Sequence, residues 1–343
     1  DTLGEIMAEA LGTECAMVRP HIASGTHALA LCLYGVLRPG DMMISGAGKP
    51  YDTMEEVIGL SGEPGYGSLK DLGVDYRQVE LKDGKVDVQG ILDALAPNAK
   101  LVLLQRSRGY DWRPSLSVGE LNAAISAIHA ARPDVCVMVD NCYGEFTDSA
   151  EPAADLMAGS LIKNPGGGLA PTGGYVAGRR KYVEMAACRL TSPGVGLEIG
   201  SYAGSYQPFY QGLFQAPHTV AQAVRSAILA ARVFELLGFQ VNPAYDAPRN
   251  DIIEAIRFGS AEKLIRFIQC IQFCSPVDAE AVPEPWSMPG YQDQVIMAAG
   301  TFVSGASVEL SADAPIREPY IAYLQGALTY AHGRIGISGA VQM

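Results

Sequence analysis

The stretch Val135-Cys-Val-Met-Val-Asp140-Asn-Cys-Tyr-Gly-Glu-Phe146, followed by Ala154-Asp-Leu-Met-Ala-Gly-Ser160-Leu-Ile-Lys163-Asn-Pro-Gly-Gly-Gly168 and Thr172-Gly-Gly-Tyr-Val-Ala-Gly178, decides the fold. It contains three short apolar runs bounded by turn residues, and such runs read as strands buried on both faces. The first stops at Asp140; the second stops at Ser160, just before Lys163. A glycine cluster after the lysine leaves space around it. An acid, a hydroxyl and a lysine at the ends of buried strands suit a protein that holds a flat, charged cofactor through a covalent bond to an amine.

The pattern continues outward from there. Upstream, residues 42–45, 74–81 and 100–105 read as strands, and residues 1–9, 28–37, 51–60 and 87–95 as helices. Ser117-Val-Gly-Glu120 is a capping box that opens a helix running to about Arg132. Strands that alternate with helical crossovers predict an α/β fold: a mostly parallel sheet sandwiched by helices. Downstream, residues 181–190 read as a helix and residues 191–212 as a long loop. Residues 217–238 read as one long helix that could link two domains. The tail, with helical stretches near Asp251 and Ala261, strands over 295–303 and 306–313 and a helix over 318–332, reads as a smaller C-terminal α+β domain. The expected division is a cofactor-binding large domain over 1–236 and a small domain over 237–343.

Composition sets the bounds. The 343 residues suffice for more than one core, and with 48% hydrophobic and 18% charged residues the chain is suited to a large buried sheet. A formal charge of −12 disfavours nucleic-acid binding, which needs a basic face. No apolar run approaches the roughly 20 residues of a membrane span. No basic, apolar leader opens the chain, which starts directly on a helical pattern; a segment preceding Asp1 is expected. The seven cysteines form no Cys-x-x-Cys pair, as expected for reduced thiols of a cytoplasmic protein. Cys270 and Cys274 lie one helical turn apart with no histidine nearby, so no metal site is expected there.

The chemistry sits at the strand ends. A buried aspartate needs a partner, and a protonated pyridine nitrogen is a fitting one for Asp140. At about 4 Å and an effective dielectric near 20, such a pair gains about 4 kcal/mol before desolvation. Keeping that nitrogen positive is what makes a pyridoxal ring an electron sink. Burial of Lys163 is expected to lower its pKa and free the amine as a nucleophile. Ser24-Gly25-Thr26 opens an apolar helix whose N–H groups suit a phosphate, although an ordinary N-cap explains the same residues. Ser160, three residues before Lys163, is close enough to reach the same phosphate. Tyr51, at a helix opening, stacks on a bound ring or packs on the sheet edge.

Several segments carry a resemblance: Val18-Arg-Pro-His-Ile-Ala-Ser24-Gly25-Thr26-His27-Ala28, Lys49-Pro-Tyr51-Asp-Thr-Met-Glu-Glu-Val-Ile-Gly59, Val139-Asp-Asn-Cys-Tyr-Gly-Glu-Phe146, Ala158-Gly-Ser-Leu-Ile-Lys163-Asn-Pro-Gly-Gly-Gly168, Gly212-Leu-Phe-Gln-Ala-Pro-His218 and Val308-Glu-Leu-Ser-Ala-Asp313. Across essentially its whole length the chain resembles the pyridoxal-5′-phosphate enzymes of the aspartate-aminotransferase fold type. Within them it is similar to the cystathionine and methionine lyase group, in the branch labelled methionine gamma-lyase family or aluminium resistance protein. The resemblance implies that Lys163 carries the cofactor as an internal aldimine and moves protons. Asp140 would bind the ring nitrogen, Ser24, Gly25, Thr26 and Ser160 the phosphate, and Tyr51 the ring face. Arg317 is the candidate clamp for the substrate carboxylate, with Arg108, Arg106 and Arg113 as rivals.

Two departures accompany the resemblance. The better-known lyases place a threonine just before the lysine, where this chain has Ile162. They also take residues from a neighbouring subunit's N-terminal arm, which would precede Asp1. The implied activity is elimination of a thiol, β or γ, from a sulfur-containing amino acid by a homodimer or homotetramer with shared sites. The alternatives are an aminotransferase or racemase on the same fold, a cofactor-binding relative that serves in metal resistance without turnover, and a nucleotide-binding α/β protein. The last has only Gly166-Gly-Gly168 in its favour and lacks the phosphate-loop patterns.

Overall fold

The buried runs assemble into one seven-stranded sheet in the computed structural model, which describes residues 2–341. Its strands are β1 (Cys15–Arg19), β2 (Met42–Ser45), β3 (Asp75–Gln78), β4 (Ala99–Gln105), β5 (Cys136–Asp140), β6 (Leu156–Ser160) and β7 (Gly174–Gly178). They lie in the order β1-β7-β6-β5-β4-β2-β3. The pairs from β3 through β6 are parallel, and β7 runs antiparallel to both β6 and β1. Strand period explains why these sequences read as continuous apolar runs. Val102, Leu104, Val137, Val139 and Met157 enter one core, whereas Leu101, Leu103, Cys136, Met138 and Leu156 enter another on the opposite face. The first face is covered by α1 (Thr2–Leu11), α4 (Val88–Ala94) and α5 (Val118–Ala131). The second is covered by α2 (Gly25–Val36), α3 (Asp52–Ile58) and α6 (Arg180–Leu190). The helix expected from residue 1 is α1; Asp1 itself lies outside the described residues.

A second sheet takes every strand after residue 239: β8 (Gln240–Asn242), β9 (Glu254–Arg257), β10 (Val295–Ala298), β11 (Ser311–Pro315) and β12 (Ile321–Gln325). It is antiparallel throughout, in the order β10-β11-β12-β9-β8. Its core joins Ile256, Ile296, Ala312 and Leu324 to Phe234 of α7 (Gln207–Leu236), Phe267 of α8 (Ala261–Phe273) and Ile337 of α9 (Tyr330–Ala340).

Several expected elements differ in place or type. The long helix starts at Gln207, not Pro217. Proline lacks an N–H and crowds the carbonyl four residues back, yet burial of Phe209, Leu213 and Ala216 carries the helix through it. The stretch near Asp251 is not helical; it leads directly into β9. The strand expected over 306–313 begins only at Ser311, because the Glu309 carboxylate accepts the N–H groups of Phe302 and Val303 and folds the preceding chain into turns. The helix expected over 318–332 is β12 followed by α9. Gly326 stands between them at φ +75°, and the Thr329 hydroxyl, accepting from the His332 N–H, starts the helix there. At Ser117 only half of the capping box forms: its hydroxyl accepts from Glu120 N–H, but the Glu120 carboxylate accepts from Val86 N–H instead.

The turn after Lys163 is anchored by α7. An added Cβ at Gly212 would collide with the carbonyl oxygen of Gly166. Helix propensity alone favours Gly→Ala by about 1 kcal/mol. Here the clash is with backbone, so Gly212→Ala is expected to be net destabilising by about 1–3 kcal/mol in urea unfolding. A stabilised variant would show that the two segments separate freely.

Candidate active site

Three elements of the first sheet converge at the ends of its parallel strands. The first is the opening of α2. Ser24 caps this helix, its hydroxyl accepting from the His27 N–H at 3.1 Å. Thr26 and Thr53 share a hydroxyl hydrogen bond of 2.7 Å. Gly25 lets the helix approach β6, since a Cβ there would sit 3.3 Å from Ser160 Cβ and 3.6 Å from Cys142 Sγ. A helix N-terminus with hydroxyls at its mouth is a ready anion site.

The second element is β5, which ends on Asp140. Its register partner on β6 is Ala158, so Ser160 reaches two residues further. Asp140 is buried, and its Oδ1 accepts from the Cys142 N–H at 3.1 Å. Burial raises its pKa, against the opposing pull of Lys163. Among the described residues no ammonium or guanidinium forms an ion pair with it.

The third is Lys163, just past β6. It is half-buried, and its Nζ lies 4.1 Å from the centre of the Tyr143 ring. Here the expected lowered pKa is corrected. Burial does pull the ammonium down, but the thiol of Cys142, the phenol of Tyr143 and the carboxyls of Asp140 and Glu145 outweigh it and hold Lys163 above the usual lysine range. Burial is visible in the local sequence, whereas the acidic groups around the amine are brought there by the fold.

Ser24, Gly25, Thr26, Tyr51, Asp140, Ser160 and Lys163 line one cavity of about 240 Å³. Tyr51 is tied into a tyrosine cluster: its hydroxyl hydrogen-bonds that of Tyr291 at 2.6 Å, and its ring meets Tyr110 edge-on at 5.9 Å. Ile162 lines the cavity without adding a hydroxyl. The second sheet contributes Ser311, Asp313 and Gln325. Cys142, Tyr143 and Asp313 were not among the residues singled out in sequence. Tyr143 carries one weak signal, a place three residues after Asp140 in a turn where it takes φ +70°.

The four arginines are not brought into the cavity. Arg317 is partly exposed, pairs with Asp293 at 2.8 Å and donates to the Tyr110 carbonyl. Arg108 is fully buried and donates to the Asn242 carbonyl at 2.7 Å. Arg106 holds Asn141 and Glu151. Arg113 donates to the carbonyls of Gln105 and Ser107, and burial draws its pKa down to about 10. These side chains join loops to one another, a role that sequence alone does not separate from ligand binding. Among the described residues no cluster of His, Cys, Asp or Glu is placed to hold a metal ion.

Comparisons with known proteins identify the family and the fold. Residues 1–343 match the family model described as methionine gamma-lyase. The uncharacterized protein YnbB of Bacillus subtilis strain 168 is 52% identical over 345 residues, covering 99% of this chain and 82% of that one. A carbon-sulfur lyase involved in aluminum resistance, from Clostridium novyi NT, is 50% identical with a TM-score of 0.95, covering 99% of this chain and 81% of its own. More distantly, a structure from Campylobacter jejuni described as a candidate O-acetylhomoserine (thiol)-lyase shares the fold at 14% identity and a TM-score of 0.64. It covers all of this chain and 85% of its own, and contains N′-pyridoxyl-lysine-5′-monophosphate.

Proposed function

This chain belongs to the methionine gamma-lyase family, and from that premise we propose that it is a pyridoxal-5′-phosphate-dependent carbon–sulfur lyase acting on a sulfur-containing amino acid by β- or γ-elimination. One observation carries the reading: an amine, a buried carboxylate without an ionic partner and a helix N-terminus ringed by hydroxyls share a single cavity. That set fits a group with an anion at one end, a basic ring nitrogen and a carbonyl carbon. Asp140 supplies the charge that holds the nitrogen's proton. The opening of α2, with Ser24, Thr26 and Ser160, would hold the phosphate, and Tyr51 would cover the ring. Pyridoxal phosphate, when bound, withdraws electron density from the substrate's α-carbon.

Lys163 anchors the cofactor and then moves the proton. Its Nζ takes the α-proton and delivers it elsewhere along the substrate. For β-elimination the overall balance is one amino acid and one water giving one thiol, one 2-keto acid and one ammonium ion. Assays of a panel of sulfur amino acids, following thiol and keto acid together, test the proposal. The two products are expected in equal amounts. Keto acid without thiol would indicate amino-group transfer, and neither product from any member would overturn the reading. The seven cysteines are all unpaired, which supports placement in a reducing cytoplasm. No helix among the described residues is long and apolar enough to cross a membrane. The family resemblance supports a homo-oligomer as the working form.

A further inference from the structure

We propose that Tyr143 is a positioning residue for Lys163: its ring face is the dock on which the lysine's ammonium rests whenever its nitrogen is not bonded to the cofactor. This deepens the lyase reading and rests on it. Lys163 Nζ lies 4.1 Å from the ring centre, inside the roughly 6 Å over which an aromatic face attracts a cation. Both residues line the cavity. Burial pushes the Tyr143 phenol up to about 12, so the ring stays neutral and the attraction is to its face, not to a phenolate. The ring is also built into place. Tyr143 takes φ +70°, a left-handed conformation that a bulky side chain adopts only where its surroundings enforce it. The buried side chain of Asn164, the residue after Lys163, donates to the Tyr143 carbonyl at 3.0 Å and to the Glu145 carbonyl at 2.9 Å. The turn that carries the lysine therefore fixes the backbone that carries the ring. Tyr143 also packs against a buried cluster that includes Ala255 and Tyr323 of the second sheet.

Other groups act on the amine without directing it. Asp140, Cys142 and Glu145, at the end of β5 and in the turn after it, favour its charge. Asp313 of β11 and Tyr291, ahead of β10, feel the same ammonium from the second sheet's side. Among the described residues none of these carboxyls forms an ion pair with Lys163, so the ring face is what sets where the ammonium sits. An amine that takes a proton from one atom and delivers it to another must be held close between the two events. A flexible four-carbon stem does not do this unaided. An aromatic face suits the task because it attracts the cation without accepting its proton, which stays available for transfer. A carboxylate in the same place would pair with the ammonium and compete for that proton.

Two measurements on the full chain test this. In the cofactor-free protein, with lysines dimethylated by ¹³C-formaldehyde, the methyl resonance that disappears in Lys163→Ala belongs to Lys163. It is expected upfield of the other lysine methyls, from the ring current of Tyr143, with a titration midpoint above theirs. Tyr143→Phe keeps the ring and should keep both features. Tyr143→Leu should lose the upfield shift and lower the midpoint by about one pH unit. In the loaded enzyme, Tyr143→Leu is expected to lower kcat by about 3- to 30-fold with KM little changed, and Tyr143→Phe to recover most of that loss. A Lys163 resonance without a ring-current shift, a midpoint unmoved in Tyr143→Leu, or the same kcat in the Phe and Leu variants would overturn the dock. An upfield, ring-dependent Lys163 resonance in a protein that releases no thiol from any sulfur amino acid would support the dock and overturn the lyase reading instead.

Discussion

Lys163→Ala is expected to lower kcat by at least about 10⁴-fold, since it removes both the covalent anchor and the group that moves the α-proton. The fold should tolerate the change. Among the described residues the Lys163 side chain makes no hydrogen bond or ion pair, and its contact is the face of Tyr143. The variant should therefore unfold near the parent's temperature and still bind the cofactor's phosphate end. It should lose the protein's yellow absorbance, and borohydride should no longer fix the cofactor to the peptide that carries residue 163. A variant that still captured the cofactor covalently would place the anchor on another lysine and remove the basis for the whole assignment.

Asp140→Asn is expected to act in opposite directions on the two forms of the protein. In the loaded enzyme it removes the charge that keeps the ring nitrogen protonated. At a gain of about 4 kcal/mol for a pair near 4 Å before desolvation, a loss of roughly 10²- to 10³-fold in kcat is expected. In the cofactor-free protein Asp140 is a liability. Its carboxyl is buried and, despite the pull of Lys163, holds its proton more tightly in the folded than in the unfolded chain. A raised carboxyl pKa means that the folded state binds more protons than the unfolded one. Stability then falls as pH rises from the unfolded value toward the folded one, and the deficit is complete only above the folded value. Asparagine fits the same space without charge and can still accept from the Cys142 N–H. The apo variant should therefore match or exceed the parent's melting temperature at pH 7, and this advantage should shrink in acid. Thermal scans with and without cofactor check both halves. An apo variant markedly less stable than its parent would mean that Asp140 has an ionic role in the fold itself.

Much of the first sheet was legible because of its topology. Strands with helical crossovers on both sides must be apolar on both faces, so β4, β5 and β6 stand out as unbroken runs, and each ends where a polar residue is exposed to the site. That is why Asp140, Ser160 and Lys163 could be picked out by position. The second sheet offers no such contrast. Its antiparallel strands are short and lie beside turns held by side chains such as Glu309, so the strand expected over 306–313 starts later and the helix expected over 318–332 is a strand followed by a helix. Pro217 read as a helix start because the local penalty of proline was visible, whereas the tertiary packing that overrides it was not.

By itself the sequence determined the layered α/β architecture, the strand ends that carry the acid, hydroxyl and amine, and the helix opening at Ser24-Gly25-Thr26, because periodicity and capping are local properties of the chain. The tertiary structure alone decided which charges meet. It turned four candidate arginines to carbonyls and carboxylates outside the cavity, surrounded Lys163 with acidic groups that raise its pKa, and brought Asp313 to the same cavity from 150 residues further along the chain. Electrostatic environment is a property of distances through space, and those are fixed only when the two sheets pack.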